Sequence, residues 1–226
     1  MERWRGKFAL VTGSSAGIGF AITEGLVRAR INVFACARNV ASLEELTASL
    51  PSNSGTIYPL KVDLSKEEQI KSIFQTIQTR CGHVDILVNN VVNCLSGGLD
   101  GQASDDWRLM LEEDNVQTGH IININSAEWD PSYVGLNFCG ATKEMTSALT
   151  KALRYELLQK KSKIRVTSIR PGLVASRSVQ ELLKDDQLTG HEDSPALNCQ
   201  DVADGVLYVL SVPEKVVITE LSFEAH

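Results

Sequence analysis

"KFALVTGSSAGIGFAITEGLVRAR", residues 7–30, changes its periodicity halfway, and that change decides the fold. Residues 7–13 are a short apolar run closed by a glycine, the pattern of a strand buried on both faces. From residue 19 to 30 the pattern is helical, with Ile18, Ile22 and Leu26 four apart on one face. Between them TGSSAGIG (12–19) carries Gly13, Gly17 and Gly19. In a strand–loop–helix setting Gly13 permits the tight turn, Gly17 lets the backbone approach a pyrophosphate, and Gly19 allows close packing of helix on sheet. The helix N-terminus then offers free N–H groups and the positive end of its dipole to phosphates. Spaced glycines also serve ordinary turns, and it is the setting that favours dinucleotide binding.

Outward from this unit the alternation continues. We expect strands at 31–38, 56–64, 84–90, 120–126, 163–172 and 216–223, and helices at 40–50, 66–80, 138–159 and 201–211. Ser65 followed by Glu68 has the spacing of a capping box for the helix at 66–80. Such alternation demands a doubly wound, mostly parallel sheet of Rossmann type. Without repeats or a linker, residues 1–226 are expected to be one domain. One connection stands out: residues 91–119 hold a polar, glycine-rich loop and one short helical piece at 104–114, a brief crossover for parallel strands.

Composition narrows the function classes. The net charge of −6 argues against nucleic acid or an anionic membrane as partner. Five cysteines scattered singly, without a CxxC, read as reduced thiols. No apolar run reaches membrane-spanning length, and "MERWRGK" lacks the apolar core of a signal peptide, so a cytoplasmic protein without a membrane span is expected. The four histidines show no metal spacing, and no metal site is expected.

The end of the second strand selects the dinucleotide. Sites for NAD place an acid there for the ribose 2′-hydroxyl, whereas a 2′-phosphate needs positive charge. Here the strand ends "ACARN", with no acid and with Arg38 able to pair with a phosphate in two-pronged fashion. A solvated surface arginine is the alternative. We expect NADP(H).

TGxxxGxG after the first strand, Asp63 after the third, Asn89–Asn90, a serine after "IINI", a lysine in the next helix and Pro171–Gly172 together resemble the short-chain dehydrogenase/reductase family over essentially the whole chain. Within it the chain is most similar to the NADP-dependent group that contains insect farnesol dehydrogenases and vertebrate reductases of keto steroids. The resemblance implies the strand order 3-2-1-4-5-6-7 and hydride transfer between a nicotinamide and a carbonyl or alcohol carbon. It implies cofactor contacts from Gly13, Ser14, Ser15, Gly17, Ile18 and Gly19 of the loop, from Arg38 and Asn39, and from Asp63 and Leu64. Asn90, Lys143, Pro171, Gly172 and Ser176 complete that implied set.

The resemblance breaks at the catalytic end. Ser126 fits the family serine that polarises the carbonyl and Lys143 fits the family lysine, but the tyrosine position, thirteen after the serine and four before the lysine, holds Cys139. A thiol is acidic enough, yet it stops several ångströms short of where a phenol oxygen reaches, and a proton donor must come within about 2.6–3.2 Å of its acceptor. Tyr133 lies ten residues before Lys143, off the helical face that a residue four before it shares. Family members also carry a long helix, with the catalytic asparagine, between the fourth and fifth strands; on the order of 15–20 residues of it are absent here. Its truncation should disrupt the usual homodimer interface and leave apolar surface of those strands uncovered.

Three readings follow: an NADP(H)-binding scaffold with impaired catalysis, an active NADP-dependent oxidoreductase of farnesol-like, steroid or other small hydrophobic carbonyl substrates, or an unstable product. Fold alone does not choose among them.

Overall fold

The computed structural model describes residues 1–91, 118–127, 137–176 and 195–226, the side chains of 137–139 excepted. Seven strands form one parallel sheet in the order β3-β2-β1-β4-β5-β6-β7. They are β1 Phe8–Thr12, β2 Asn32–Ala37, β3 Ile57–Lys61, β4 Ile86–Asn89, β5 His120–Ile124, β6 Arg165–Pro171 and β7 Glu220–Phe223. The helices are α1 Gly17–Arg28, α2 Ala41–Ser49, α3 Glu67–Arg80, α4 Asn137–Gln159 and α5 Cys199–Ser211. The expected fold and strand order are both present. The helical piece expected at 104–114, Tyr133, Cys94 and the segment 177–194 lie outside the described residues.

Alternation along each strand sorts side chains to two faces. Ala9, Val11, Val33, Ala35, Val88 and Ile122 face α1, α2 and α5, where Ile22, Leu26, Leu43, Val202 and Val206 close the cluster. Leu10, Phe34, Leu87, Ile121 and Val166 face the other way, onto Ile73 and Ile77 of α3 and Leu153 and Leu157 of α4. Both clusters draw on strands from the middle of the sheet, so β1, β4 and β5 are buried on both sides. This is why their sequences read as continuous apolar runs.

Two expectations are corrected. The strands flanking the short crossover do not leave apolar surface uncovered: Leu87 and Ile121 are fully buried. Ile73 and Ile77 of α3 and Leu153 and Leu157 of α4 share their buried cluster, and the next positions along that face are polar rather than apolar. Asn89 Nδ2 donates to Asn123 Oδ1 at 2.9 Å, and Asn123 Nδ2 donates to Thr150 Oγ1 of α4 at 2.9 Å. Nor does Ser65 cap α3. Its hydroxyl donates to Asp63 Oδ1 at 2.8 Å and its N–H reaches the same oxygen at 3.1 Å. Asp63 sits two residues back and accepts both in a local turn, including the N–H that a capping box would have given to Glu68. The reciprocal cap appears at α5 instead, where the Asp201 carboxylate accepts the Asn198 N–H at 2.6 Å.

Candidate active site

Between β1 and α1 the chain turns at Gly13 with φ +68°, a left-handed conformation that costs glycine nothing. The loop after it is pinned from three directions. The Ser14 N–H donates to the Cys36 carbonyl of β2 at 3.0 Å, and the Ser14 hydroxyl donates to the Val11 carbonyl at 2.8 Å. From β4, Asn90 Nδ2 donates to the Thr12 carbonyl at 2.9 Å and the Gly13 carbonyl at 3.3 Å. From α2, the Ser42 hydroxyl donates to the Ser15 carbonyl at 2.7 Å.

Gly17 opens α1 with φ +59°, and among the described residues a Cβ there would meet only the Ser176 Cβ, 3.8 Å away. Ser176, which follows β6, thus lies beside the start of α1. At Gly19 a Cβ would strike the Gly13 carbonyl oxygen and come within 2.5 Å of Asn90 Nδ2. The helix starts directly against the loop because that position has no side chain. Ile18 and Leu64, by contrast, pack their side chains against the two hydrophobic clusters.

β2 ends beneath this loop. Arg38 and Asn39 follow it directly and are exposed, and Asn39 Oδ1 accepts the Ala41 N–H at 3.0 Å, preforming the turn into α2. Asp63, after β3, has its carboxyl held below the usual range by the Ser65 hydroxyl first, then by the Ser65 N–H, with the Lys66 and Arg38 charges adding to the effect. The surface beside Arg38 thus carries a fixed carboxylate.

On the same edge of the sheet, the chain after β5 stays bonded to β6 past the formal end of β5. The Asn125 N–H donates to the Ile169 carbonyl at 2.7 Å and the Ala127 N–H to the Pro171 carbonyl at 2.8 Å, which sets the backbone of Ser126 between two fixed points. Arg170 completes the grip. It is 7% exposed, and its Nε donates to the Ser126 carbonyl at 2.8 Å while a terminal nitrogen reaches Glu144 at 2.9 Å. Its second terminal nitrogen lies 3.6 Å from Glu220 of β7.

Lys143 and Glu144 occupy the second turn of α4, and Asn125 Nδ2 ties that turn to β5 by donating to the Lys143 carbonyl at 3.0 Å and to Ser147 Oγ at 2.9 Å. Position 139 lies in the same helix four residues earlier. Gly172 follows β6, its N–H bonded to the Phe223 carbonyl at 2.9 Å, and a Cβ there would press on Glu224.

All the described candidate residues therefore gather at the carboxyl ends of the strands, the edge where doubly wound sheets bind ligands. Three residues that organise this edge were not singled out in the sequence: Ser42, Asn125 and Arg170. Asn125 and Arg170 could have been noticed as polar interruptions of otherwise apolar strand runs. Ser42 gives no signal, because a serine in the first turn of a helix is commonplace.

The chain belongs to the short chain dehydrogenase family, whose profile matches residues 7–112 and 103–187. It is 37% identical to mouse dehydrogenase/reductase SDR family member 11, covering 98% of this chain and 95% of that one. It is 34% identical to the farnesol dehydrogenase of Aedes aegypti over 99% and 98% of the two chains. Among solved structures it resembles the closed form of a serine dehydrogenase complexed with NADP+, with 29% identity, a TM-score of 0.75 and coverage of 96% and 94%. L-sorbose reductase from Gluconobacter frateurii, complexed with NADPH and L-sorbose, shares the fold at 23% identity with a TM-score of 0.73 over 98% and 96% of the chains. In the mouse comparison 98% of the 226 residues, about 221, are spread over 246 aligned positions, so about 25 positions face gaps in this chain. The two profile segments overlap at 103–112, within the crossover that the sequence shows to be short.

Proposed function

We propose that this chain binds NADP(H) in the cytosol, as a single domain of the family, and that its oxidoreductase chemistry is impaired at the proton-transfer step. The observation that carries the nucleotide half is the loop at 13–19. Its glycines give left-handed turns at Gly13 and Gly17 and close packing at Gly19, and it is braced from β2, α2 and the residue after β4. The residues present fit a dinucleotide. The α1 N-terminus offers its N–H groups to the pyrophosphate, Asp63 and Leu64 flank the adenine side, and Arg38 with Asn39 supplies positive charge and donors for a 2′-phosphate. The serine dehydrogenase with 29% identity was solved with NADP+, which supports the same choice.

When bound, the nicotinamide would give or take the hydride. Ser126 would donate its hydroxyl proton in a hydrogen bond to the substrate carbonyl oxygen and stabilise charge developing there. Lys143 would bind the nicotinamide ribose and, as a cation, favour the ionised form of a proton donor one turn earlier. Pro171, Gly172 and Ser176 would hold the carboxamide side. The donor position is Cys139, whose thiol is shorter than a phenol, and loss of positioned acid–base catalysis costs about 10²–10⁴ in rate.

A second reading is an active NADP-dependent oxidoreductase of a small hydrophobic carbonyl or alcohol. It is favoured by Ser126 and the Lys143 turn being joined through Asn125, so that the serine and the lysine of the family share one rigid edge.

NADPH and NADH titrations, with thermal shift, test the first half: NADPH should bind more tightly and raise the melting temperature, and Arg38→Ala should weaken NADPH by about 10- to 100-fold. Equal affinity for the two nucleotides refutes the 2′-phosphate assignment. NADPH oxidation with a diketone or keto steroid tests the second half. Wild type should turn over at traces, and Cys139→Tyr should raise the rate by about 10²-fold or more. Robust wild-type turnover establishes the second reading.

A further inference from the structure

The glycine loop is reached by a side chain from α2, an element that the nucleotide reading does not otherwise use. Ser42, half-buried in the first turn of α2, donates its hydroxyl to the Ser15 carbonyl at 2.7 Å, across 27 residues of sequence. In a trans peptide the carbonyl and the following N–H point in opposite directions. Holding the Ser15 carbonyl toward α2 therefore turns the Ala16 N–H away from α2.

The neighbouring peptides have other anchors. The Ser14 N–H is taken by the Cys36 carbonyl, and the Ala16 carbonyl accepts the Phe20 N–H at 3.3 Å in the first turn of α1. Ser42 thus sets the orientation of the peptide between these two anchors. It does so from the turn that Asn39 preforms by accepting the Ala41 N–H. Arg38, the residue assigned to the 2′ end of the nucleotide, precedes this same turn.

We propose that Ser42 is a positioning residue for dinucleotide binding: its hydroxyl holds the Ser15 carbonyl and so aims the Ala16 N–H at the pyrophosphate. This rests on the nucleotide-binding reading above. Because the pyrophosphate is common to both nucleotides, Ser42 acts on NADPH and NADH alike, unlike Arg38.

The test uses the full chain and the fluorescence of bound NADPH and NADH, with wild type, Ser42→Ala and Ser42→Thr, plus melting temperatures without nucleotide. Removing the hydroxyl should weaken both nucleotides by the same factor, about 3- to 10-fold, the range one hydrogen bond supplies. Threonine, which retains the hydroxyl, should restore binding, and the nucleotide-free melting temperatures should agree within about 3 °C. Ser42→Ala binding as tightly as wild type overturns the proposal. Loss for NADPH alone overturns it too, by making Ser42 a direct contact of the 2′-phosphate. A lowered melting temperature that threonine does not rescue reduces Ser42 to a structural residue. Wild type binding neither nucleotide is a different result: it refutes the nucleotide reading, and the proposal with it.

Discussion

Acidification should unload stability from this fold through one buried ring, His120, the first residue of β5. It is fully buried, and Nε2 lies 2.8 Å from Thr167 Oγ1. The Thr167 hydroxyl itself donates to the Ile218 carbonyl at 2.6 Å, so it can only accept from the ring. The ring is therefore the neutral Nε2–H tautomer, and buried Nδ1 has no partner among the described residues. Protonation would add a second N–H without an acceptor. Burial first, and then the guanidiniums of Arg165 and Arg3, push the imidazole down from 6.5 to about 3.

The folded-state value lies below the unfolded one. The stabilisation is therefore complete above pH 6.5 and is lost as pH falls from there toward 3. The slope is about 1.4 kcal/mol per pH unit, so roughly 2 kcal/mol disappears between pH 8 and 5, before most carboxylates titrate. Urea unfolding at several pH values measures it. His120→Gln keeps a donor for Thr167 but cannot titrate, and surface histidines such as His83 cancel in the comparison. Wild type should lose about 2 kcal/mol more than His120→Gln over that interval, whatever constant offset separates them. Superimposable pH slopes would refute the reasoning.

Gly19→Ala should force the Cβ onto the Gly13 carbonyl and Asn90 Nδ2, which belong to backbone and a braced amide rather than a flexible chain end. Overpacking of this kind costs about 1–3 kcal/mol, read as a lower urea midpoint, and it should weaken NADPH as the loop shifts. Arg170→Met removes the donors to the Ser126 carbonyl and to Glu144 and should cost about 1–3 kcal/mol by urea unfolding. Glu144→Gln should cost under 1 kcal/mol, because Glu144 is largely exposed and its pairing is screened. Equal losses for the two variants would show that the ion pair, not the grip on Ser126, is the stabilising part.

The sheet was legible because its central strands are apolar on both faces. "FALVT", "VFACA" and "DILVN" admit few other structures when helices of clear 3.6 period stand between them. The helix at 66–80 was legible in extent but not in its start: Asp63, two residues from Ser65, accepts the Ser65 N–H that the box would give to Glu68, and spacing alone ranks neither acceptor. In the site, glycines and charges marked the nucleotide end because they stand next to each other in sequence. The grip of Arg170 on Ser126 crosses 44 residues and the bond from Asn125 to α4 crosses 18, and nothing in a local pattern encodes such pairings. The expectation of an uncovered strand surface failed for a related reason. It assumed that the face beside the short crossover was apolar throughout, whereas Asn89, Asn123 and Thr150 make part of it a hydrogen-bonded polar seam.

That seam makes the two departures from the family pattern physically separable. The turn of α4 that carries Lys143 is attached to β5 by Asn125, through the Lys143 carbonyl and Ser147, and one turn later by Asn123 through Thr150. Arg170 ties it to β6 through Glu144 and holds the Ser126 carbonyl with the same guanidinium. None of these bonds runs through the crossover between β4 and β5. Among the described residues, Ser126 and the Lys143 turn are thus tied together by contacts of β5, β6 and α4 alone. On the proposed reading, introducing a phenol at position 139 therefore tests the proton-donor position by itself. If Cys139→Tyr binds NADPH as wild type does and still turns over no ketone, the asparagine-bearing helix is the indispensable part. If it turns over a ketone that wild type does not, the proton-donor position is the limiting one.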